Sequence, residues 1–273
     1  MDLSIVIVTY KSRGLLRQCL LGLRALPAAR RHEIIVIDNN SQDGTRELLM
    51  NEFPEVRSIM QVSNLGFGAG GNVGIRASSG RYVAVMNPDI VVVDDSFDRL
   101  ISYLDQHTKV GLVGPQLMNP DGSLQRSCYR FHTPLIPVYR RTPLGNFTFA
   151  RERVSRFLME EWDHASEREV DWLLGACLVA RRALLNEIGC FDERFFLYFE
   201  DTDLCRRAWQ AGWRVVYQPS ARFFHYHRRA SAESPLLPSL FNPVTRLHIS
   251  SWIKYLWKYR GQPLPYVPPP QFS

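Results

Sequence analysis

Four short apolar runs punctuate the first 115 residues: LSIVIV at 3–8, EIIVI at 33–37, YVAVM at 82–86 and VGLVG at 110–114. They are rich in β-branched side chains, and none carries a polar residue at every second position. A strand with one wet face alternates, so these runs read as strands buried on both faces. Helical spacing fills the gaps. Leu16, Cys19, Leu20 and Leu23 share the face of a helix that Pro27 stops. Leu48, Leu49 and Phe53 lie on a second helix that Ser41 or Asp43 would cap. A third strand is expected near 57–62 and a third helix near 68–78, and Phe97, Leu100, Ile101 and Leu104 line a fourth helix at 96–106. Strands alternating with helices dictate an α/β fold, a mainly parallel central sheet flanked by helices. Ligands of such sheets bind at the carboxyl ends of the strands.

The 273 residues suffice for one large domain, and 45% hydrophobic with 22% charged residues is an ordinary globular balance. Five widely spaced cysteines with no Cys-x-x-Cys pair suggest neither a disulfide framework nor structural zinc, which fits a reducing cytoplasm. The first strand begins without a basic region, and no apolar run reaches the ~18 residues of a spanning helix, so a cytoplasmic protein without a signal peptide is expected. A net charge of +6 suits an anionic partner. The arginine pairs 140–141, 181–182, 206–207 and 228–229 read as mainly solvated surface charge.

The second half is less regular. From Gln116 to about Val170, prolines, aromatics and arginines replace periodic segments, suggesting loops that shape a site. VDWLLGACLVARRALLNEIGCFD reads as strand then helix, and FEDTDLCRRAWQAG as a helix with Leu204, Ala208 and Ala211 inward and Gly212 as its stop. In LHISSWIKYLWKYR, Ile249, Trp252, Ile253 and Leu256 share one helical face while Lys254 and Lys258 point away. That face suits either an acidic lipid surface or packing on the domain. The tail PLPYVPPPQFS reads as extended.

One tetrapeptide, Met-Asn-Pro-Asp, occurs twice, at 86–89 and 118–121. The second copy continues into Gly122 between Leu117 and Leu124, which predicts a type I turn at a hairpin tip. The first ends a buried strand and delivers Asp89 to the edge where ligands bind. Thr9, Tyr10, Asp38, Asn39, Ser41 and Asn64 end other strands there, a line of hydrogen-bonding groups suited to a nucleotide. GFGAGG at 66–71 matches the dinucleotide Gly-x-Gly-x-x-Gly pattern, so an NAD(P)-dependent oxidoreductase is one alternative. A non-enzymatic carbohydrate-binding protein using segment 126–156 is another, and nothing there favours nucleic acid.

Taken in order, SIVIVTYKS, VIDNNSQDGT, SNLGFGAGGNVGI, VMNPDIVV, DWLLGACLVARR and GCFDERFFLYFEDTDLCRRAWQAGWRVVYQPSARFFHYH resemble the pattern of glycosyltransferase family 2, nearest its rhamnosyltransferase-like branch, over residues 3–231. The resemblance implies one GT-A domain at 1–232, with a nucleotide-sugar half at 1–115 and an acceptor half at 116–232, followed by a C-terminal aromatic, basic and proline-rich segment at 233–273. It implies inverting transfer of a sugar, rhamnose first, in cell-surface polysaccharide assembly. The donor would be dTDP-rhamnose, with UDP-sugars next, and the acceptor a hydroxyl of a glycan or lipid-linked glycan at an anionic membrane surface on the cytoplasmic side.

Carried over by position, Thr9, Tyr10, Asp38 and Asn64 line the nucleotide pocket, and Asn72 with the turn Gly66-Phe67-Gly68 closes on base or ribose. Asn87 and Asp89 stand where the family has Asp-x-Asp, so Asp89 alone brings a full charge to Mn2+ or Mg2+. His225 matches a late histidine that completes the metal site, and His227 would share its strand face. Trp172 and Gly175 fall to the acceptor. Asp201 is the base, with Glu200 next, while Asp203 is a structural carboxylate able to pair with Arg206 or Arg207. A cation would offset charge building on the leaving diphosphate, and a carboxylate must take the acceptor's proton.

Overall fold

The computed structural model describes residues 1–25, 32–226 and 242–265. The elements in chain order are β1 (Leu3–Thr9), α1 (Arg13–Ala25), β2 (His32–Asp38), α2 (Thr45–Glu52), β3 (Arg57–Met60), α3 (Phe67–Ala77), β4 (Tyr82–Met86), β5 (Ile90–Val92), α4 (Ser96–Gln106), β6 (Val110–Met118), β7 (Leu124–Gln125) and β8 (Cys128–Tyr129). They continue with α5 (Ile136–Arg141), α6 (Thr148–Phe157), β9 (Arg168–Glu169), β10 (Trp172–Leu173), β11 (Cys177–Arg181), α7 (Arg182–Ile188), α8 (Glu200–Gln210), β12 (Arg214–His225) and α9 (Pro243–Lys258).

The main sheet runs β3-β2-β1-β4-β11-β6-β12-β5. β1 to β4 are parallel, β11 enters antiparallel between β4 and β6, and β12 lies parallel to β6. The sheet is thus mixed but mainly parallel, and it crosses the 115/116 boundary without a break. Its pleat sorts β1 between two cores: Leu3, Ile5 and Ile7 pack with Leu16, Leu20 and Leu100, whereas Val6 packs with Ile75, Leu184 and Leu204. Burial on both faces explains the unbroken apolar runs, since each such side chain contributes about 1.5–3 kcal/mol when withdrawn from water.

Several sequence expectations are corrected. The stretch 116–170 is not a set of loops: it holds α5 and α6, and its Cys128, Phe131, Ile136, Phe157 and Met159 belong to the second core. Leu204 and Ala208 of α8 face inward as expected, but Ala211 is an exposed C-cap. The α2 N-cap is Gly44, because Asp43 instead accepts N–H bonds from Thr45 and Arg13. Arg181 and Arg182 donate to backbone carbonyls of Leu104, Val110 and Gly80, and Arg206 is buried against Tyr255 and Tyr259. Arg228, Arg229, His227 and the Pro-rich tail from Tyr266 lie outside the described residues. The packing face of α9 is rotated from the aliphatic one: Thr245, Ser251, Tyr255 and Tyr259 are buried, whereas Ile253 and Trp257 are exposed. No helix of the described residues is long and apolar enough to cross a membrane.

Candidate active site

Parallel register brings the polar strand ends level. Thr9 pairs with Asp38 across β1 and β2, and Asp38 with Met60 across β2 and β3. Thr9 is fully buried and its Oγ1 has no hydrogen-bond partner. Asp38 accepts the Ser41 N–H at 3.1 Å, and Tyr10 stands open to solvent. Asn39 donates to the Gly66 carbonyl at 2.9 Å while its buried Oδ1 has no partner, and Asn64 Oδ1 accepts the Gly66 N–H at 2.9 Å. Buried polar atoms are normally satisfied, so a hydroxyl and a carboxamide oxygen without partners at this edge point to a ligand.

The turn between them is clamped from the far side of the chain. Gly66 has φ 84° and ψ 176°, and a Cβ there would stand 2.1 Å from the Phe196 carbonyl oxygen, which accepts the Phe67 N–H at 2.9 Å. Asn72 acts in the same clamp. Its amide donates to the Phe191 carbonyl at 2.8 Å and to Glu193 at 2.9 Å, and its Oδ1 accepts the Phe191 N–H at 2.9 Å. The structure therefore places Asn72 against the 191–199 loop with its carboxamide engaged inside the protein. Nothing in residue type or spacing marked Phe191 or Glu193 as its counterparts.

The two Met-Asn-Pro-Asp copies prove to be connected. The second forms the β6–β7 hairpin tip as expected, with Gly122 at φ 82° donating to the Asn119 carbonyl at 2.9 Å. Asn119 Oδ1 accepts from the Gln125 amide at 3.1 Å, and Gln125 Oε1 lies 2.6 Å from His225 Nδ1. An amide oxygen only accepts, so Nδ1 carries the proton and Nε2 turns toward Asp89 of the first copy, 3.3 Å from Oδ1. That Oδ1 is buried and receives no hydrogen bond. Gln125 escaped sequence reasoning because it lies 100 positions from His225.

Asp89 and His225 thus offer one carboxylate oxygen and one imidazole nitrogen to a common point. No group of three or more His, Cys, Asp or Glu side chains suited to a metal occurs among the described residues. The donor set fits a divalent ion whose remaining ligands come from outside the protein, such as phosphate oxygens.

A backbone link joins the Asn87-Pro-Asp89 turn to a pair of buried carboxyl groups, Glu200 and Asp201. The Gly175 N–H donates to Asp201 Oδ2 at 2.8 Å, and the adjacent Ala176 carbonyl accepts the Asn87 N–H at 2.9 Å, so one dipeptide holds both. Asp201 Oδ1 also accepts the Thr202 N–H at 2.7 Å. Burial raises the Asp201 pKa, and these hydrogen bonds oppose the rise. Glu200 is pushed well above the ordinary carboxylate range by burial and then by the Asp201 charge, and its Oε2 has no partner. The two therefore differ: N–H donors to Asp201 offset part of the burial penalty on its charged form, whereas Glu200 Oε2 has no such donor.

The remaining expected residues are Gly175, Trp172 and Asp203. Gly175 acts through its N–H on Asp201. Trp172 is buried, donates to the Arg130 carbonyl at 2.8 Å and stacks on Tyr129 with centroids 4.6 Å apart. Asp203, fully buried, accepts from Arg207 and Tyr259 at 2.8 Å each and pairs with Lys258. Lys258 therefore points into the fold, contrary to the expectation from helical spacing, and with Ser251 donating to the Leu197 carbonyl it straps α9 across the 191–199 loop. That strap holds Tyr198 and Phe199, both in the left-handed region at φ 69° and 70°, immediately before Glu200.

The family pattern described as Glycosyltransferase like family 2 matches residues 2–236. The chain belongs to glycosyltransferase family 2. The N-acetylglucosaminyl-diphospho-decaprenol L-rhamnosyltransferase of Mycobacterium tuberculosis is 32% identical over 252 residues, covering 85% of this chain and 78% of its own. Rhamnosyltransferase WbbL of Escherichia coli is 24% identical over 94% of this chain and 93% of its own. These similarities place the family 2 chain in the rhamnosyltransferase-like branch. Among solved structures, the Pyrobaculum calidifontis mannosyltransferase with GDP-Man and Mn2+ superposes with TM-score 0.62 at 16% identity, covering 97% of this chain and 66% of that one. GalNAc-T7 with UDP, GalNAc and Mn2+ gives 0.66 at 14% identity over 96% of this chain, and Staphylococcus aureus TarS with UDP-GlcNAc gives 0.56 at 17% over 84%. This family 2 chain spans only 48% and 59% of those last two, respectively. The fold is GT-A. As a family 2 member the chain is a glycosyltransferase with a nucleotide-sugar donor and a glycan acceptor, and the oxidoreductase and non-enzymatic alternatives find no support.

Proposed function

We propose that this family 2 enzyme inverts the anomeric centre of a nucleotide-diphosphate sugar, with Asp201 as the base. The observation that carries the reading is the Gly175-Ala176 dipeptide, which holds the Asp201 carboxylate beside the Asn87-Pro-Asp89 turn. In that arrangement the acceptor hydroxyl meets the sugar on one side while the diphosphate leaves on the other. Asp201 takes the acceptor's proton as the new glycosidic bond forms. Its raised pKa gives it more basicity than an exposed aspartate, and the Gly175 and Thr202 donors keep the carboxylate aimed. Glu200 is the second candidate for the base.

Thr9, Tyr10, Asp38 and Asn64 would receive the nucleotide, with the Gly66-Phe67 turn held by the 191–199 loop and Asn72 fixing that loop. Asp89 and His225 would hold Mn2+ or Mg2+, which when bound stabilises negative charge on the diphosphate. The names of the rhamnosyltransferase relatives favour rhamnose as the sugar, and dTDP-rhamnose is the donor to test first, ahead of UDP-sugars. The name of the mycobacterial relative favours a diphospho-polyprenol-linked acceptor, and hence a peripheral place at the cytoplasmic face of a membrane, in polysaccharide assembly.

The test is a binding and turnover panel of dTDP-rhamnose, UDP-sugars and NAD(P), each with and without Mn2+. Stabilisation by a nucleotide sugar is expected, strengthened by metal. Asp201→Asn should lower kcat about a hundredfold or more while donor affinity stays near wild type. Near-normal turnover in Asp201→Asn with loss in Glu200→Gln would move the base to Glu200.

A further inference from the structure

Residues 133–153 form a hairpin of α5 and α6 with a split character. Inward, Ile136, Ala150 and the following Phe157 are buried, and the hairpin leans on Tyr139, whose ring meets Phe149 edge-on at 5.9 Å. Outward, Leu144, Phe147 and Phe149 are 46%, 56% and 53% exposed, and the two phenylalanine rings stack on each other 5.8 Å apart. Large apolar side chains grouped this way at one turn are a poor match to water. The segment carries four arginines, 140, 141, 151 and 153, against the single acid Glu152. Beside it opens a groove of about 1000 Å3 lined by Arg140, Arg151 and Arg156. Glu152, Glu160 and Glu161 also line it, and the last two are paired with Arg126 and Arg168.

We infer that this hairpin docks the enzyme on an anionic lipid surface, with Leu144, Phe147 and Phe149 entering the headgroup layer and the arginines meeting lipid phosphates. The inference rests on the proposed lipid-linked acceptor for its purpose, but not for its observations. Aromatic tips flanked by arginine combine apolar burial with attraction to acidic headgroups, the two terms that sum in interfacial binding. The position relative to the chemistry also fits. Arg140 lies over the Phe157 ring at 5.6 Å, Phe157 meets His132 at 4.7 Å, and His132 meets Phe199 at 4.9 Å, next to Glu200. Docking here would set the membrane within a few side chains of the carboxyl pair, as an acceptor with its lipid still embedded requires. On the α9 helix, whose aliphatic face suits either a lipid surface or packing on the domain, the tyrosines face the 191–199 loop and Ile253 and Trp257 stay exposed.

The test is cosedimentation of the full chain with vesicles of phosphatidylcholine alone and of phosphatidylcholine with about one-third phosphatidylglycerol. Wild type should prefer the anionic vesicles and lose binding as salt screens the arginines. Phe147→Ser with Phe149→Ser, and separately Arg140→Gln with Arg151→Gln, should each weaken partitioning about tenfold or more. Ile253→Ser with Trp257→Ser on α9 should leave it near wild type. All changes are at exposed positions, and unchanged melting and nucleotide binding confirm the fold. Hairpin variants that partition like wild type would overturn the inference, as would equal binding to neutral vesicles or loss only in the α9 variant. Stronger displacement by inorganic phosphate than by sodium chloride of equal ionic strength would mark a free-phosphate site instead, and would also overturn it. Intact vesicle binding with no nucleotide-sugar binding would defeat the proposed function and leave this inference standing.

Discussion

Gly66→Ala tests whether the nucleotide edge is built by the 191–199 loop. At φ 84° and ψ 176° the backbone sits in a region open essentially to glycine, which costs another residue about 1–3 kcal/mol. The new Cβ would also fall 2.1 Å from the Phe196 carbonyl oxygen, so the loop must retreat and the Phe67 N–H bond to that oxygen is lost, a further ~0.5–1.5 kcal/mol. Together these give roughly 2–4 kcal/mol, less than the ~5–15 kcal/mol that stabilises a typical domain. The variant should therefore fold and melt roughly 5–15 °C lower. Gly122→Ala is the matched control: its φ is 82°, but no atom lies within 4 Å of a built Cβ, so only the conformational cost of about 1–2 kcal/mol applies. Differential scanning calorimetry reads the melting difference, and titration calorimetry with dTDP and UDP reads the site. Nucleotide affinity should fall about tenfold in Gly66→Ala, as for loss of one or two aligned hydrogen bonds, and stay unchanged in Gly122→Ala. If the two variants melt alike and bind nucleotide alike, the clamp does not shape the site.

The other consequences are briefer. Asp89→Ala should abolish the part of nucleotide stabilisation that depends on Mn2+, while Asp121→Ala at the hairpin tip, where the carboxylate caps Ser123, should keep it; a thermal-shift titration decides. Because burial and Asp201 raise the Glu200 pKa in the folded protein, folding favours the protonated form, and stability is lost as pH rises through that folded value. Glu200→Gln should therefore melt above wild type at pH 8, with the gap closing toward pH ~4, and a pH-independent gap would contradict the assignment. Lys258→Met removes one of three partners of a fully buried carboxylate and should cost about 1–3 kcal/mol, lowering kcat more than donor affinity because the strap over Phe199 loosens.

The fold was legible where burial speaks through periodicity. Uninterrupted runs such as LSIVIV could only be two-faced strands, and Pro120 with Gly122 could only suit a turn. The strand-end residues were legible too, since register alone aligns Thr9 with Asp38. Side-chain commitments were not. Asn72 and Asn64 are the same residue type on either side of one turn, yet Asn72 is engaged by a loop 119 positions away. Which face of α9 packs on the domain was not legible, because it packs through tyrosines whose hydroxyls reach Asp203 and Arg206, so its buried stripe is less aliphatic than its exposed one. Likewise 116–170 looked irregular because it packs through stacked rings, Tyr129 and His132 on Trp172, which have no sequence period.

Asn87 in place of a second carboxylate changes how the site must work. In the proposed site, one oxygen from Asp89 and one nitrogen from His225 would fill about two of the roughly six positions around Mn2+ or Mg2+, so the bare protein should hold the ion weakly. Diphosphate oxygens would supply further ligands and most of the negative charge, making the two ligands bind as a pair. By linkage, whatever factor the nucleotide adds to metal affinity the metal adds to nucleotide affinity. A second carboxylate at position 87 would tighten the ion but repel the phosphates whenever the ion is absent; a neutral amide avoids that repulsion. Asn87→Asp should accordingly raise affinity for Mn2+ alone and weaken metal-free binding of dTDP or UDP. If both ligands bound more tightly to Asn87→Asp in isolation, charge balance would not be what the Asn-Pro-Asp turn adjusts.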